Sequence, residues 1–183
     1  VYRQLKPVHW SIDNQTALAD AELEYEDKLD PSIFVTMAST TPDTLSQLFN
    51  TNPLSAPISF MIWTTTPWTI PANLAIAIHP KFTYALIQIN DQYVIVAQDA
   101  ISRLESTWEK GAATLLGTTL GETLLDQQYQ HPFCDRTHPI VAADYVTLED
   151  GTGLVHTAPG HGVDDYQTGL KEGLDIYCPV LGN

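Results

Sequence analysis

Three consecutive threonines, Thr64, Thr65 and Thr66, end an apolar run and are followed by Pro67, Trp68, Thr69 and, beyond Pro71, Asn73. Hydroxyls donate and accept hydrogen bonds without adding charge, which suits such a cluster to hold a carbonyl, a water or an amine. Alternate side chains of a strand share a face, so Thr64 and Thr66 can converge on one site while Thr65 points elsewhere. An edge-strand threonine ladder with Trp68 as a core anchor accounts for the same residues without chemistry, and Asn73 is then a turn residue. A second polar group comprises His156, His161, Asp164 and Asp165. Carboxylates at a helix start act as caps or as an ammonium receptor. Histidine and aspartate are also competent metal ligands. Against that option, the Thr-Ala-Pro-Gly between the two histidines cannot form the helical turn that makes a regular His pair coherent. His9, His79, His131 and His138 each lie beside a strand or a proline and read as structural.

The elements that must position these groups are mostly strands. Residues 32–38 alternate and are β-branched, 57–64 form a longer apolar run, and 73–80 continue the theme. Two alternating runs flank Asn90 and Asp91, residues that tolerate left-handed backbone and predict a tight hairpin. From Asp99 to Gly111, apolar Ile101, Leu104 and Trp108 recur at helical spacing behind an Asp cap candidate, which predicts one amphipathic helix. Strands follow around 113–120 and 138–148. The spacing then predicts a strand over 153–158, a loop, and a short helix over 164–173 closed by glycine. Together these predict an α+β, β-rich fold, a barrel-like mixed sheet with a few short helices.

A chain of 183 residues fits one domain with an ample core. Two cysteines outside any Cys-x-x-Cys pair give no support to a disulfide scaffold or a thiolate zinc site, and a reducing compartment is the simplest expectation. Eight Lys plus Arg against twenty-two Asp plus Glu leave a formal charge of −14, which argues against broad electrostatic binding of nucleic acid. A narrower hold on one nucleic-acid end is compatible with that charge, because backbone amides and stacking groups suffice for it. There is no phosphate-binding glycine loop and no Gly-x-Ser-x-Gly elbow. Covalent catalysis is not indicated, and no membrane anchor is expected.

The stretches WTTTPWTIPAN and GTGLVHTAPGHGVDDY resemble the editing domain of isoleucyl-tRNA synthetase, and LKPVHWSIDNQTALADAELEYED looks like the lead-in of its bacterial form. These motifs span nearly the whole chain. Valyl and leucyl editing domains carry an Arg after the paired threonines, where this chain has Thr66. The resemblance implies a single editing domain over 1–183 with the shared valyl, isoleucyl and leucyl editing fold, its ends 1–30 and 175–183 leading to and from the rest of a synthetase. The implied activity is hydrolysis of valine wrongly esterified to isoleucine tRNA, in the cytoplasm, with no cofactor and no metal. A first pocket rejects valine only through one missing methylene, worth about 1–3 kcal/mol, a limit for which isoleucyl-tRNA synthetase is itself the standard worked example. A second, smaller pocket is then required.

By the same resemblance, Asp165 matches the aspartate that holds the substrate α-ammonium, and His156 the histidine that limits pocket size. Thr64, Thr65 and Thr66 match the threonines around the ester and a hydrolytic water. Trp68 and Thr69 continue that wall, and Asn73 matches an asparagine of the same motif. Leu74 departs from the pattern, since an Arg often stands there. The implied partners are the 3′ end of isoleucine tRNA carrying valine and the remainder of the synthetase. Other readings are a metal-dependent hydrolase using His156, His161 and Asp165, a non-catalytic barrel that binds an RNA end or a protein, and an editing domain for a different amino acid.

Overall fold

The computed structural model describes residues 2–107 and 113–180. The elements are β1 (Trp10–Ser11), β2 (Thr16–Ala17), β3 (Ile33–Ala38), α1 (Pro42–Leu48), β4 (Ile58–Thr64), β5 (Ala75–Ile78), β6 (Thr83–Ile89), β7 (Gln92–Ala97), α2 (Ile101–Thr107), β8 (Thr114–Leu120), β9 (Gln128–Gln130), β10 (Thr137–Ala142), β11 (Leu154–Thr157) and α3 (Val163–Glu172). The fold is α+β and β-rich, as its alternating and β-branched runs predict. Among the described residues no helix is long and apolar enough to cross a membrane.

Five strands form one sheet in the order β3-β4-β7-β6-β8, antiparallel except for the parallel β4–β7 pair. The β6–β7 hairpin turns where expected, with Asn90 at a left-handed φ of 52°. The second sheet runs β11-β5-β10-β9, and β5 pairs antiparallel with β11 and parallel with β10. All four residues of β5 are buried, as befits an apolar central strand covered on both faces. The core between the sheets holds Met37, Phe60, Ile62, Ile76, Leu86 and Ile95. Two contacts close the sheets on each other into a barrel-like body. A β-bridge joins Ser39 to Tyr129, and the Ala97 N–H donates to the Thr152 carbonyl at 2.8 Å.

Four local features differ from expectation. The helix foreseen from Asp99 to Gly111 opens as a 3-10 turn, Gln98–Ala100, before α2, and its Trp108 to Gly111 part lies outside the described residues. The strand foreseen over 138–148 stops at Ala142, because the Ala143 N–H takes the carbonyl of Ile78, the last residue of β5. The chain beyond it becomes a loop. Helix α1 was not foreseen, although Thr41-Pro42-Asp43 is a recognisable start with proline in the first turn. The β1–β2 ribbon and three-residue β9 are too short to carry a periodic signal.

Candidate active site

Strand β4 ends at Thr64 because Pro67 opens a 3-10 turn, Pro67–Ala72, whose Thr69 N–H bonds the Thr66 carbonyl at 3.1 Å. The Thr66 N–H donates to Thr64 Oγ1 at 3.0 Å, and the two hydroxyl oxygens lie 3.3 Å apart, brought together by the turn that follows the strand end. Thr64 is buried, whereas Thr65 and Thr66 are exposed. Strand β11 brings His156 opposite Ile76 of β5, and helix α3 begins one residue after Gly162, carrying Asp164 and Asp165 in its first turn.

These segments surround one open cavity of about 390 Å³. Its walls include Thr64, Thr65, Thr66, Thr69, His156 and Asp165, so residues about a hundred positions apart in the chain meet in one place. Thr65 lines it too, although the strand period points it away, because the strand has already ended there. Tyr145, Thr147, Asp150, Thr152 and His161 add to the polar wall, while Trp63 and Leu154 add apolar surface.

Three of the residues singled out in the sequence sit elsewhere, Asp164 among them, exposed on the first turn of α3. Trp68 does not line the cavity and is no core anchor: it is 56% exposed, edge-on to the His161 ring at 5.3 Å between centroids. Asn73 is fully buried behind His156, away from the cavity surface. Its amide nitrogen donates to the Ala75 carbonyl at 2.9 Å and to His156 Nδ1 at 2.8 Å, and its oxygen accepts the Tyr129 hydroxyl. On the other side of the ring, His156 Nε2 lies 2.9 Å from Thr69 Oγ1, which donates onward to the Thr66 carbonyl at 2.9 Å.

The electrostatics of the cavity are set by burial. Asp165 is pushed up to about 6, chiefly by desolvation, with the Ala158 N–H pulling down and Asp164 pushing up. Its Oδ2 accepts that N–H at 2.9 Å, so this carboxylate ties a loop and caps nothing on its own helix. Among the described residues no lysine or arginine pairs with it. Gly162 makes room for the group: a Cβ there would stand 3.0 Å from both Asp165 Cγ and Oδ2. His156 is pushed down to about 4, first by burial and then by His131 and His161. Burial likewise lowers His161, whose Nε2 is buried with no hydrogen-bond partner among the described residues, and raises Tyr145, with Thr157 and Thr168 beside its hydroxyl.

Among the described residues no His, Cys, Asp and Glu are grouped to hold a metal. Both nitrogens of His156 already serve hydrogen bonds, so ligation through it requires dismantling that network. Of the histidines expected to be structural, His131 is buried with Nε2 against the Ile70 carbonyl at 2.9 Å, and His79 stacks on Phe82. His138 is pushed down to about 4 by burial, then by Arg136 and His131, and its Nε2 has no hydrogen-bond partner among the described residues. Sequence reasoning missed Tyr129 and Tyr145. Nothing in the local pattern marks either, since each reaches the site through a fold contact.

No family profile matches the chain. Solved structures do. The structure of GlLeuRS-CP1 aligns with a TM-score of 0.61 at 19% identity, over 80% of this chain and 66% of that one. The cytosolic leucyl-tRNA synthetase editing domain of P. falciparum aligns at 0.59 and 12% identity, over 78% and 67%. Its P. knowlesi counterpart aligns at 0.66 and 13% identity, over 78% and 62%. The chain thus spans about two thirds of the length of these domains, and at such identities the likeness concerns architecture. The mixed sheets have the fold of these leucyl-tRNA synthetase editing domains.

Proposed function

We propose that the chain hydrolyses an amino acid wrongly esterified to tRNA, and that the ester is valine on isoleucine tRNA. The observation that carries this reading is the meeting of the 64–66 hydroxyls and the uncompensated Asp165 carboxylate on one cavity. An aminoacyl ester offers an ammonium, a carbonyl and an aliphatic side chain, and the cavity offers a partner for each. Asp165 receives the ammonium. The threonine hydroxyls hold the ester and orient water, which attacks the carbonyl carbon. The ester C–O bond then breaks, and the ribose oxygen leaves with a proton. Rate comes from positioning and from donors to the developing oxyanion, with no acyl-enzyme. His156 faces the side chain and limits its size.

The isoleucyl assignment rests on the Thr66-Pro67-Trp68 form of the threonine motif and on the His-Thr-Ala-Pro-Gly-His-Gly run. Leucyl editing domains supply the structural likeness. The working partners under this reading are the charged tRNA 3′ end and the rest of a cytoplasmic synthetase, whose own contacts offset the repulsion from the −14 charge. The deciding experiment compares deacylation of valyl-, threonyl-, leucyl- and isoleucyl-tRNA, each with and without a chelator, for the parent chain and Asp165→Ala. We expect valyl-tRNA to be favoured, chelator to have no effect, and Asp165→Ala to abolish turnover. Preference for another ester reassigns the substrate. Binding without release of amino acid removes the enzyme reading altogether.

A further inference from the structure

A hydrogen-bond relay stands behind the cavity wall, and its direction can be worked out atom by atom. The Ala75 carbonyl of β5 can only accept, so the Asn73 amide must turn its NH2 group toward it, as the 2.9 Å contact requires. The second N–H of that group then points at His156 Nδ1, 2.8 Å away, which must be the bare nitrogen. The ring proton therefore resides on Nε2 and is donated to Thr69 Oγ1. The Thr69 hydroxyl, having accepted there, donates to the Thr66 carbonyl. At the other end the Asn73 oxygen is completed by the Tyr129 hydroxyl, and Tyr129 and Asn73 are both fully buried. Each donor and acceptor in the line has one consistent role, and its Asn73–Tyr129 end is fully buried.

We infer that Asn73 and Tyr129 are positioning residues that hold His156 as the neutral Nε2–H tautomer, making the imidazole a fixed wall of the cavity and not a proton acceptor. Neither residue touches the cavity; they act through His156 and, by way of Thr69, on the backbone at Thr66. A ring held at both nitrogens cannot rotate to enlarge the pocket, and it has no free lone pair for a water or a metal. The consequence for selectivity deepens the proposed editing function and rests on it, whereas the tautomer assignment does not.

The test therefore has two arms on the same proteins. In the first, nitrogen chemical shifts of the imidazole are measured by NMR for the parent, Asn73→Asp and Tyr129→Phe. The parent is expected to show Nδ1 unprotonated and Nε2 protonated. Asn73→Asp replaces the donor to Nδ1 by an acceptor and should move the proton to Nδ1. Tyr129→Phe keeps the ring, which packs edge-on to Phe60, and leaves the Asn73 oxygen bare; the Ala75 carbonyl still orients the amide, so the proton should stay on Nε2 while the imidazole is held less firmly. A parent with its proton on Nδ1, or an Asn73→Asp variant that keeps the parent pattern, overturns the inference. In the second arm, isoleucyl- and valyl-tRNA hydrolysis are compared, and both variants should lose about tenfold or more of the discrimination between them, the scale of one methylene. Unchanged discrimination alongside a changed tautomer overturns the positioning role. A parent inactive on every ester sinks the proposed function instead, and the NMR arm still decides the relay.

Discussion

Asp165 Oδ2 accepts the backbone N–H of Ala158 at 2.9 Å, and no cation shares that carboxylate among the described residues. The fold thus holds a largely desolvated negative charge with a single amide for company, an arrangement that favours whichever cation can enter the cavity.

The first prediction concerns stability. The folded state raises Asp165 from 3.8 to about 6, so the protonated form is favoured in the fold. That contribution is fully present below the unfolded value and is lost as pH rises through about 6. Asp165→Asn should therefore be more stable than the parent at pH 8, by about 1–3 kcal/mol, and indistinguishable from it near pH 3. Urea titrations at the two pH values measure the difference.

Substrate affinity should run the opposite way. An ammonium is attracted only by ionised Asp165, so binding of a valyl ester analogue should weaken as pH falls through about 6, approaching about tenfold per unit below it. Calorimetry from pH 5 to 7 shows the trend, and Asp165→Asn should flatten it.

Gly162→Ala tests the space beside the carboxylate. The new Cβ would lie 3.0 Å from Asp165 Cγ and Oδ2, so the carboxylate must move. We expect kcat/KM for the ester to drop by up to about tenfold, less than the roughly hundredfold that a full 1 Å displacement of a catalytic contact brings, while the urea midpoint changes little.

Acid should weaken the fold through its buried imidazoles. His156 and His138 fall from 6.5 to about 4 on folding, so the unfolded chain binds more protons between those values. Stability is then lost as pH drops from about 6.5 toward 4, opposed in part by Asp165 over the window below 6. His138→Gln removes one of the two groups and should shallow that slope in denaturant midpoints measured across the range.

Periodic strands and the hairpin at Asn90 were legible because each leaves a signal within a few residues. Thr64 and Thr66 do meet as expected, but through the turn after Thr64 and not through a strand period, which would have kept Thr65 out of the cavity. The ending of β10 was not legible, since it depends on where β5, a distant partner, runs out of carbonyls. Trp68 and Asn73 show the same limit at the site. Their membership of the motif is written in the sequence, but which of the pair reaches the cavity depends on the 3-10 turn between them, and neither does. Tyr129, which completes the relay, lies in a strand of three residues and is invisible to any motif.

Tyr129 also carries the β-bridge to Ser39 that stitches the two sheets together. Its backbone holds a seam of the body, and its hydroxyl holds the group that holds His156. Loosening that seam, for example by damage at the end of β3, would reach the pocket wall through two side-chain contacts. Such a lesion would blur the choice of guest before it melted the host, so selectivity is a finer gauge of this joint than any unfolding curve.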